Sequence, residues 1–317
     1  AVLNRPHPRT AQALPALAVL LTLLSGCADA AHTSLAHSTL ASMPHQVARF
    51  IVPRTAPERT SAPEPSVAAL PVAADSAVVA PPAAGFVHAL VPREHTRIII
   101  LMYHTIYSGG TTERAVSPWT MEQQIVHLRR TGVEIIRLSQ LIDFLYGKIA
   151  RLPGKVAVIT IDDGEATFYK EALKRLVAQK APFALGIITK AANSNTAIAL
   201  NWGQLRHIMK TGLCEIASHG HNHIGLGKID RVRRRYELVH SRNEIKRQLG
   251  ITPDVFIYPL GSLNVQAAKD VRAAGYRAGL AAVGATFGHE VWRYKIPRFD
   301  VRRSTSMNAL KSWFLTP

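Results

Sequence analysis

Val156-Ala157-Val158-Ile159-Thr160-Ile161-Asp162-Asp163-Gly164 is the stretch that decides how this chain folds and where its chemistry sits. A short run of β-branched and small apolar residues without polar alternation suits a strand buried on both faces, as in a parallel sheet covered by helices. Charge at the end of such a strand must be solvated, paired or bound to metal. Successive side chains on an extended segment diverge, so one carboxylate can ligate a cation while its neighbour faces substrate as a base. Gly164 lets the backbone turn immediately afterwards. The competing reading is a strand end whose acids cap the next helix, where Asp is favoured by the N-terminal dipole.

A second stretch bears on that choice. Leu213-Cys214-Glu215-Ile216-Ala217 reads as another short strand, and it runs into Ser218-His219-Gly220-His221-Asn222-His223. His219 and His223 are spaced as one helical turn, which would put both rings on one side, while His221 points elsewhere. Two imidazoles and a strand-end Asp leave a tetrahedral zinc with one open position for water, the arrangement of a catalytic site. A histidine pair on a solvated helix is the plain alternative.

Around these stretches helices and strands alternate. Ser117-Pro118 starts a helix through Met121, Ile125 and Leu128 that stops at Gly132, and a strand follows from Val133 to Leu138. Ser139 is expected to cap a helix through Leu141, Ile142 and Leu145 that ends near Gly147. After Gly164 come a helix through Leu173, Leu176 and Val177, a strand from Phe183 to Ile188, and a helix opened by Asn201 with Gln204 three residues on. Ser241 and Glu244 read as a further capping box before Ile245 and Leu249, with Gly250 as terminator and Val255-Phe256-Ile257 as the next strand. Repeated β-α units predict parallel strands with outer helices.

The motifs resemble those of polysaccharide deacetylases of the NodB-homology type, carbohydrate esterase family 4. Thr160-Ile161-Asp162-Asp163-Gly164 matches the family's Thr-Phe-Asp-Asp-Gly with Ile for Phe. His219-Gly220-His221-Asn222-His223 matches His-(Ser/Thr)-x-x-His with Gly at the hydroxyl position. Ile257-Tyr258-Pro259-Leu260-Gly261 falls on Arg-x-Pro-Tyr-Gly, with Ile257 in place of Arg and Leu260 in place of Tyr. Met102-Tyr103-His104, after the apolar strand Ile98 to Leu101, resembles the opening of the branch that includes poly-β-1,6-N-acetylglucosamine deacetylases.

The resemblance covers about Ile98 to Phe314 and implies an α/β fold, a distorted (β/α)7 barrel with its catalytic groups at strand C-termini. It implies metal-dependent hydrolytic N-deacetylation of an N-acetylglucosamine polysaccharide. Asp163, His219 and His223 are then the metal ligands, for Zn2+ or alternatively Co2+ or Ni2+. Asp162 is the base and His104 the acid, while Leu260, with Pro259 and Tyr258, lines the substrate and oxyanion position. Since Ile257 cannot brace Asp162 as the motif-three Arg does, Arg298 is the candidate for the missing cation. His289 is a poorer candidate for the acid. Peptidoglycan or chitooligosaccharide is the alternative substrate, and a non-catalytic glycan-binding lipoprotein the alternative of another class. The retained ligand set and Asp162 argue against the latter. An end at Pro317 carries no expectation of a second, glycoside hydrolase domain.

The N-terminus gives a location. Arg5 and Arg9 precede an apolar run from Ala11 to Leu24, ending in Leu24-Ser25-Gly26-Cys27. This reads as a signal peptide over 1–27 with a lipobox, Cys27 being the lipidated residue. The run is short for a membrane span. Residues 28–92, rich in Ala, Pro, Ser and Thr, read as a disordered linker, and 93–317 as the catalytic domain. An exported, lipid-anchored protein of the bacterial cell envelope is expected. Ala28 favours the outer membrane if the cell is Gram-negative.

Cys214, the second cysteine, reads as a buried inert thiol. Net charge is +17 from 38 basic and 21 acidic residues, concentrated at Arg231, Arg233, Arg234, Arg235, Arg242, Lys246 and Arg247. A basic face of this kind suits anionic lipid or envelope polymer, or is simply solvated. Behind a lipoprotein signal, nucleic acid is not an expected partner.

Overall fold

The computed structural model describes residues 86–314. The signal segment 1–27 with Cys27, and the linker as far as residue 85, lie outside the described residues.

Two long strands, Arg97–Tyr103 (β1) and Lys155–Ile161 (β2), run in parallel from Arg97 opposite Lys155 to Tyr103 opposite Ile161. Beyond the leading Arg and Lys every residue in both is buried, which is what a continuous apolar run achieves between two covered faces. Phe183–Ile187 (β3), Cys214–Ser218 (β4), Val255–Ile257 (β5), Ala278–Leu280 (β6) and Phe299–Asp300 (β7) extend this into a parallel sheet in the order β6-β5-β4-β3-β2-β1-β7, with the short strand Glu134–Ile135 pairing β2 off that path. Ile296, just ahead of β7, bridges Leu280 of β6, so the curled sheet brings both its edges to one segment. The parallel, curled α/β architecture is the one expected of the motifs.

Alternate strand residues separate into two apolar clusters. Ile99, Leu101, Tyr103, Ala157, Ile159 and Ile161 pack outward against helices Pro118–Arg130 (α1), Leu173–Ala178 (α3) and Trp202–Met209 (α5). Ile98, Ile100, Val156, Val158, Ile257 and Leu280 meet one another and helix Leu138–Leu145 (α2). Each fully buried Val, Leu or Ile contributes roughly 1.5–3 kcal/mol, so shifting a strand by one residue would be costly across the whole sheet. That parity aims the functional residues. His104 continues the series 98, 100, 102, and Asp162 continues 156, 158, 160.

Several local expectations are met. Ser117 caps α1 through Thr120 N–H at 3.0 Å with Pro118 at its first position, and Asn201 and Gln204 cap α5 reciprocally at 2.9 and 3.0 Å. Others change. Helix α2 starts at Leu138, with Gln140 accepting from the Arg137 N–H at 2.9 Å, while the Ser139 N–H donates to Glu215 at 3.0 Å. The strand expected over 133–138 is only Glu134–Ile135, because Leu138 already belongs to the helix.

The Ser241–Glu244 capping box does not form. Both residues lie inside one long helix, Arg231–Leu249 (α6), capped by Asp230 through the Arg233 N–H at 2.9 Å. Its first half lacks apolar periodicity because two charged residues are buried there: Arg234, held by Asp270 at 2.7 Å and the Ile229 carbonyl, and Glu237. The basic cluster is correspondingly muted. Arg233 pairs with Asp230, Arg247 with Glu244, and Arg242 lies over the Tyr276 ring. The folded part also begins before residue 93: Phe86 packs on the core beside α2, and Leu90–Val91 pair with Leu152–Pro153.

Candidate metal centre and active-site cleft

The C-terminal ends of β1, β2, β4, β5 and β7 converge on a cleft of about 320 Å³. Its lining includes Met102, His104, Asp162, Asp163, His219, His223, Tyr258, Leu260, Arg298 and Asp300.

Asp162 is 2% exposed and Arg298 1%. The guanidinium forks onto the carboxylate, Nη1 to Oδ1 and Nη2 to Oδ2, both at 2.8 Å, while Nη1 also reaches Thr160 Oγ1 at 3.0 Å and Nε donates to the Ala281 carbonyl at 3.1 Å. Each of the three guanidinium nitrogens has a partner, the kind of satisfaction that lets a buried ion pair be tolerated. Burial opposes ionisation of Asp162, yet Arg298, His219 and His104 outweigh it and hold the carboxyl below its ordinary range. Ile257 lies close by, its Cδ1 and Asp162 Oδ1 both crowding the position a Cβ on Gly186 would take, at 2.9 and 3.3 Å. The cation reaches Asp162 from the β7 side, while an apolar side chain occupies the β5 position.

Asp163 stands at φ 69° and Gly164 at φ 70°, so the chain reverses immediately after the strand. A left-handed conformation is uncommon outside Gly and costs a non-Gly residue about 1–3 kcal/mol, the kind of strain that clusters at functional sites. It turns the Asp163 carboxylate toward two histidines. Oδ1 is 3.4 Å from His219 Nε2 and 3.3 Å from His223 Nε2, with no donor aligned on it although it is buried. Burial works against its charge and the two rings work for it, leaving the carboxyl well below the ordinary carboxylate range.

The two histidines do not share a helical turn. They sit on a loop after β4, with Gly220 at φ 79° and His223 at φ 59°. The loop carbonyls of Gly220 and His221 accept from the first N–H groups of helix Thr189–Ser194 (α4), both at 3.1 Å. His219 Nδ1 lies 2.9 Å from the Ile257 carbonyl, a contact in which Nδ1–H donates and Nε2 keeps its lone pair for a cation.

Among the described residues, Asp163, His219 and His223 place their ligand atoms within 4.8 Å of one another. One hard carboxylate oxygen and two imidazole nitrogens around an orphaned buried acceptor fit a divalent ion of the zinc type.

His104 is 8% exposed at the end of β1, with Nδ1 3.7 Å from Asp300 Oδ1. Neither atom has a hydrogen-bond partner. Burial lowers the His104 pKa and Arg114 reinforces this, against the pull of Asp162, Asp163 and Asp300. Sequence reasoning overlooked Asp300. The signal was its place two residues after Arg298, since period-two geometry sends both side chains to the same face while Phe299 stacks on Trp313.

The turn after β5 divides its residues. Leu260 is exposed at φ 57°, ψ 16° on the cleft wall, Pro259 is buried, and the Tyr258 phenol turns into the core to donate to the Tyr294 carbonyl at 2.9 Å. Tyr258 thus meets the cleft without offering its hydroxyl. His289 is outside the cleft lining, 4.0 Å from Glu290. Cys214 is half-buried at the start of β4, and burial pushes its thiol far up, which keeps it unreactive.

The parallel, curled α/β sheet is the fold of the NodB-type deacetylases. Residues 150–279 match the polysaccharide deacetylase family. The chain is similar to poly-beta-1,6-N-acetyl-D-glucosamine N-deacetylase of Escherichia coli O157:H7, 25% identical over 227 residues, covering 58% of this chain and 34% of that protein. The chain thus spans about a third of that relative. The enzyme of the same name from Staphylococcus aureus MRSA252 is 23% identical over 210 residues, covering 63% and 72%. In fold the domain is similar to the Streptococcus pyogenes deacetylase PplD, with a TM-score of 0.64 and 20% identity over 71% of this chain and 99% of that one.

Proposed function

We propose that the domain is a metal-dependent N-deacetylase of an N-acetylglucosamine polysaccharide, working at the cell envelope and releasing acetate. The observation that carries this reading is the pairing of a three-ligand cation site with a buried carboxylate locked by a forked guanidinium one residue away. The relatives named for poly-β-1,6-N-acetylglucosamine support the glycan class. The lipobox at Cys27 supports the location.

A divalent ion held by Asp163, His219 and His223, most simply zinc, would supply Lewis-acid activation of water and of the acetyl carbonyl. Asp162 takes the proton of the attacking water. Its bidentate pair with Arg298 fixes the carboxylate plane and keeps it ionised, so that it is a base in the resting protein. Leu260 offers its backbone N–H toward the carbonyl oxygen that gains negative charge. His104, with Nδ1 turned to Asp300, presents Nε2 to the leaving nitrogen and gives it a proton. Acetate and a glucosamine unit with a free amine result.

The test is acetate release from a panel of N-acetylglucosamine polymers, with zinc, cobalt or chelator, beside Asp162→Asn. Metal-dependent release from one polymer, lowered by about 10²–10⁴-fold in the variant, is expected for loss of a general base. Glycan binding without release under any metal would instead make the domain a binding module.

A further inference from the structure

Glu237 lies on α6, outside every motif, and is 2% exposed. No salt bridge is made by its carboxylate among the described residues. It is spent instead on the histidine loop. Oε2 accepts from the backbone N–H groups of His221 and Asn222, both at 2.8 Å, and Oε1 accepts from the Asn222 side-chain amide at 2.7 Å. A buried carboxylate without a cation is expensive unless donors surround it, and here three donors come from two adjacent residues lying between His219 and His223.

The loop is thereby gripped from two sides. Helix α4 holds its carbonyls at Gly220 and His221, and Glu237 holds its N–H groups at His221 and Asn222. The position of Glu237 is itself set one helical turn on, where Ser241 bonds the Glu237 carbonyl at 2.6 Å and Ser218 Oγ at 2.8 Å, tying α6 to the end of β4. Gly220 completes the fit. A Cβ there would stand 3.1 Å from Glu237 Oε2, at a φ of 79° that side chains rarely adopt. The hydroxyl residue of the His-(Ser/Thr)-x-x-His pattern is thus replaced by glycine where a carboxylate comes in from α6.

We propose that Glu237 is the positioning residue of the cation site: it holds the His221–Asn222 backbone so that His219 and His223 face Asp163 at ligand spacing. The inference rests on the metal reading above. Loss of a partner that orients a metal ligand lowers affinity by about 10–100-fold.

The experiment is competition titration of zinc into the metal-free full chain, with the visible spectrum of the cobalt-loaded protein as a second readout. It compares wild type, Glu237→Ala, Glu237→Gln and Arg234→Ala. Arg234 is a buried ion-pair residue on the same helix, so its variant reports what general loosening of α6 does. Glu237→Gln retains the volume and guards against outright unfolding of the alanine variant. The expected result is zinc affinity lowered by about 10–100-fold in Glu237→Ala with an altered cobalt spectrum, a smaller loss in Glu237→Gln, and wild-type affinity in Arg234→Ala at a reduced melting temperature. Folded Glu237 variants that bind zinc as wild type does, or an Arg234→Ala loss equal to theirs, would overturn the positioning role alone. A wild-type protein that takes up no zinc or cobalt would overturn the metal reading and the inference with it.

Discussion

Asp162 and Asp163 are chain neighbours at one strand end, yet they are finished in different ways. Asp162 is satisfied by the protein, with each oxygen on one arm of Arg298. Asp163 is not, since its buried Oδ1 has two imidazole nitrogens nearby and no donor. The first carboxylate is complete as folded, whereas the second keeps an unpaired acceptor, which the proposed cation would satisfy. One carboxylate is therefore fixed by the chain itself, while its neighbour is left open toward two imidazoles.

The largest effect that sharpens this contrast falls on Asp163. Asp163→Ala should abolish zinc uptake and acetate release while leaving the fold intact, because it removes an orphaned acceptor. Chelation should do the same to the wild type, and a saturating metal should raise stability by about 2.7 kcal/mol at 100 times Kd, read as a shift in melting temperature. Retained activity in metal-stripped protein would break the comparison.

Arg298→Met should act in the opposite sense, on the fold first. Removing one partner of a buried pair leaves Asp162 uncompensated and costs about 3–5 kcal/mol, measurable by urea denaturation. Zinc binding by the folded fraction should persist. If stability held while zinc affinity fell, the two carboxylates would be one coupled site and not two separately organised ones.

The smallest effect is expected of Asp300→Asn. His104 meets Asp300 at 3.7 Å, longer than a hydrogen bond, so the loss should amount to about tenfold in kcat, below the ~10²–10⁴-fold of losing the acid itself, with KM unchanged. A change in KM alone would move Asp300 from the acid to substrate binding.

Much of the barrel was legible because its strands carry unbroken apolar runs and its helices are well punctuated, as at Ser117-Pro118 and the Asn201–Gln204 box. The Asp and His motifs were legible for the same reason, lying at the ends of such runs. What was hidden had its pattern masked by tertiary pairing. The first half of α6 looks polar because Arg234 and Glu237 are buried against partners far along the chain, and the Ser241–Glu244 box is a coincidence of spacing inside a helix already begun. The His219–His223 interval suggested a helical turn, where the structure has a loop with two left-handed residues.

By itself, the sequence determined the strand-end carboxylates and the histidine pair, since each is a matter of residue type beside a local apolar pattern, while Ile257 in place of an arginine is legible only through the family resemblance. Arg298 could be named from the sequence as the candidate cation, but only tertiary structure brought it onto Asp162 in a fork, put Asp300 behind His104, and set a glutamate from α6 under the histidine loop. Those partners come together across the barrel, 136 residues apart for Arg298 and Asp162. No local periodicity encodes such a meeting; it follows from the curl of the sheet and from the parity that turns alternate side chains into one cleft.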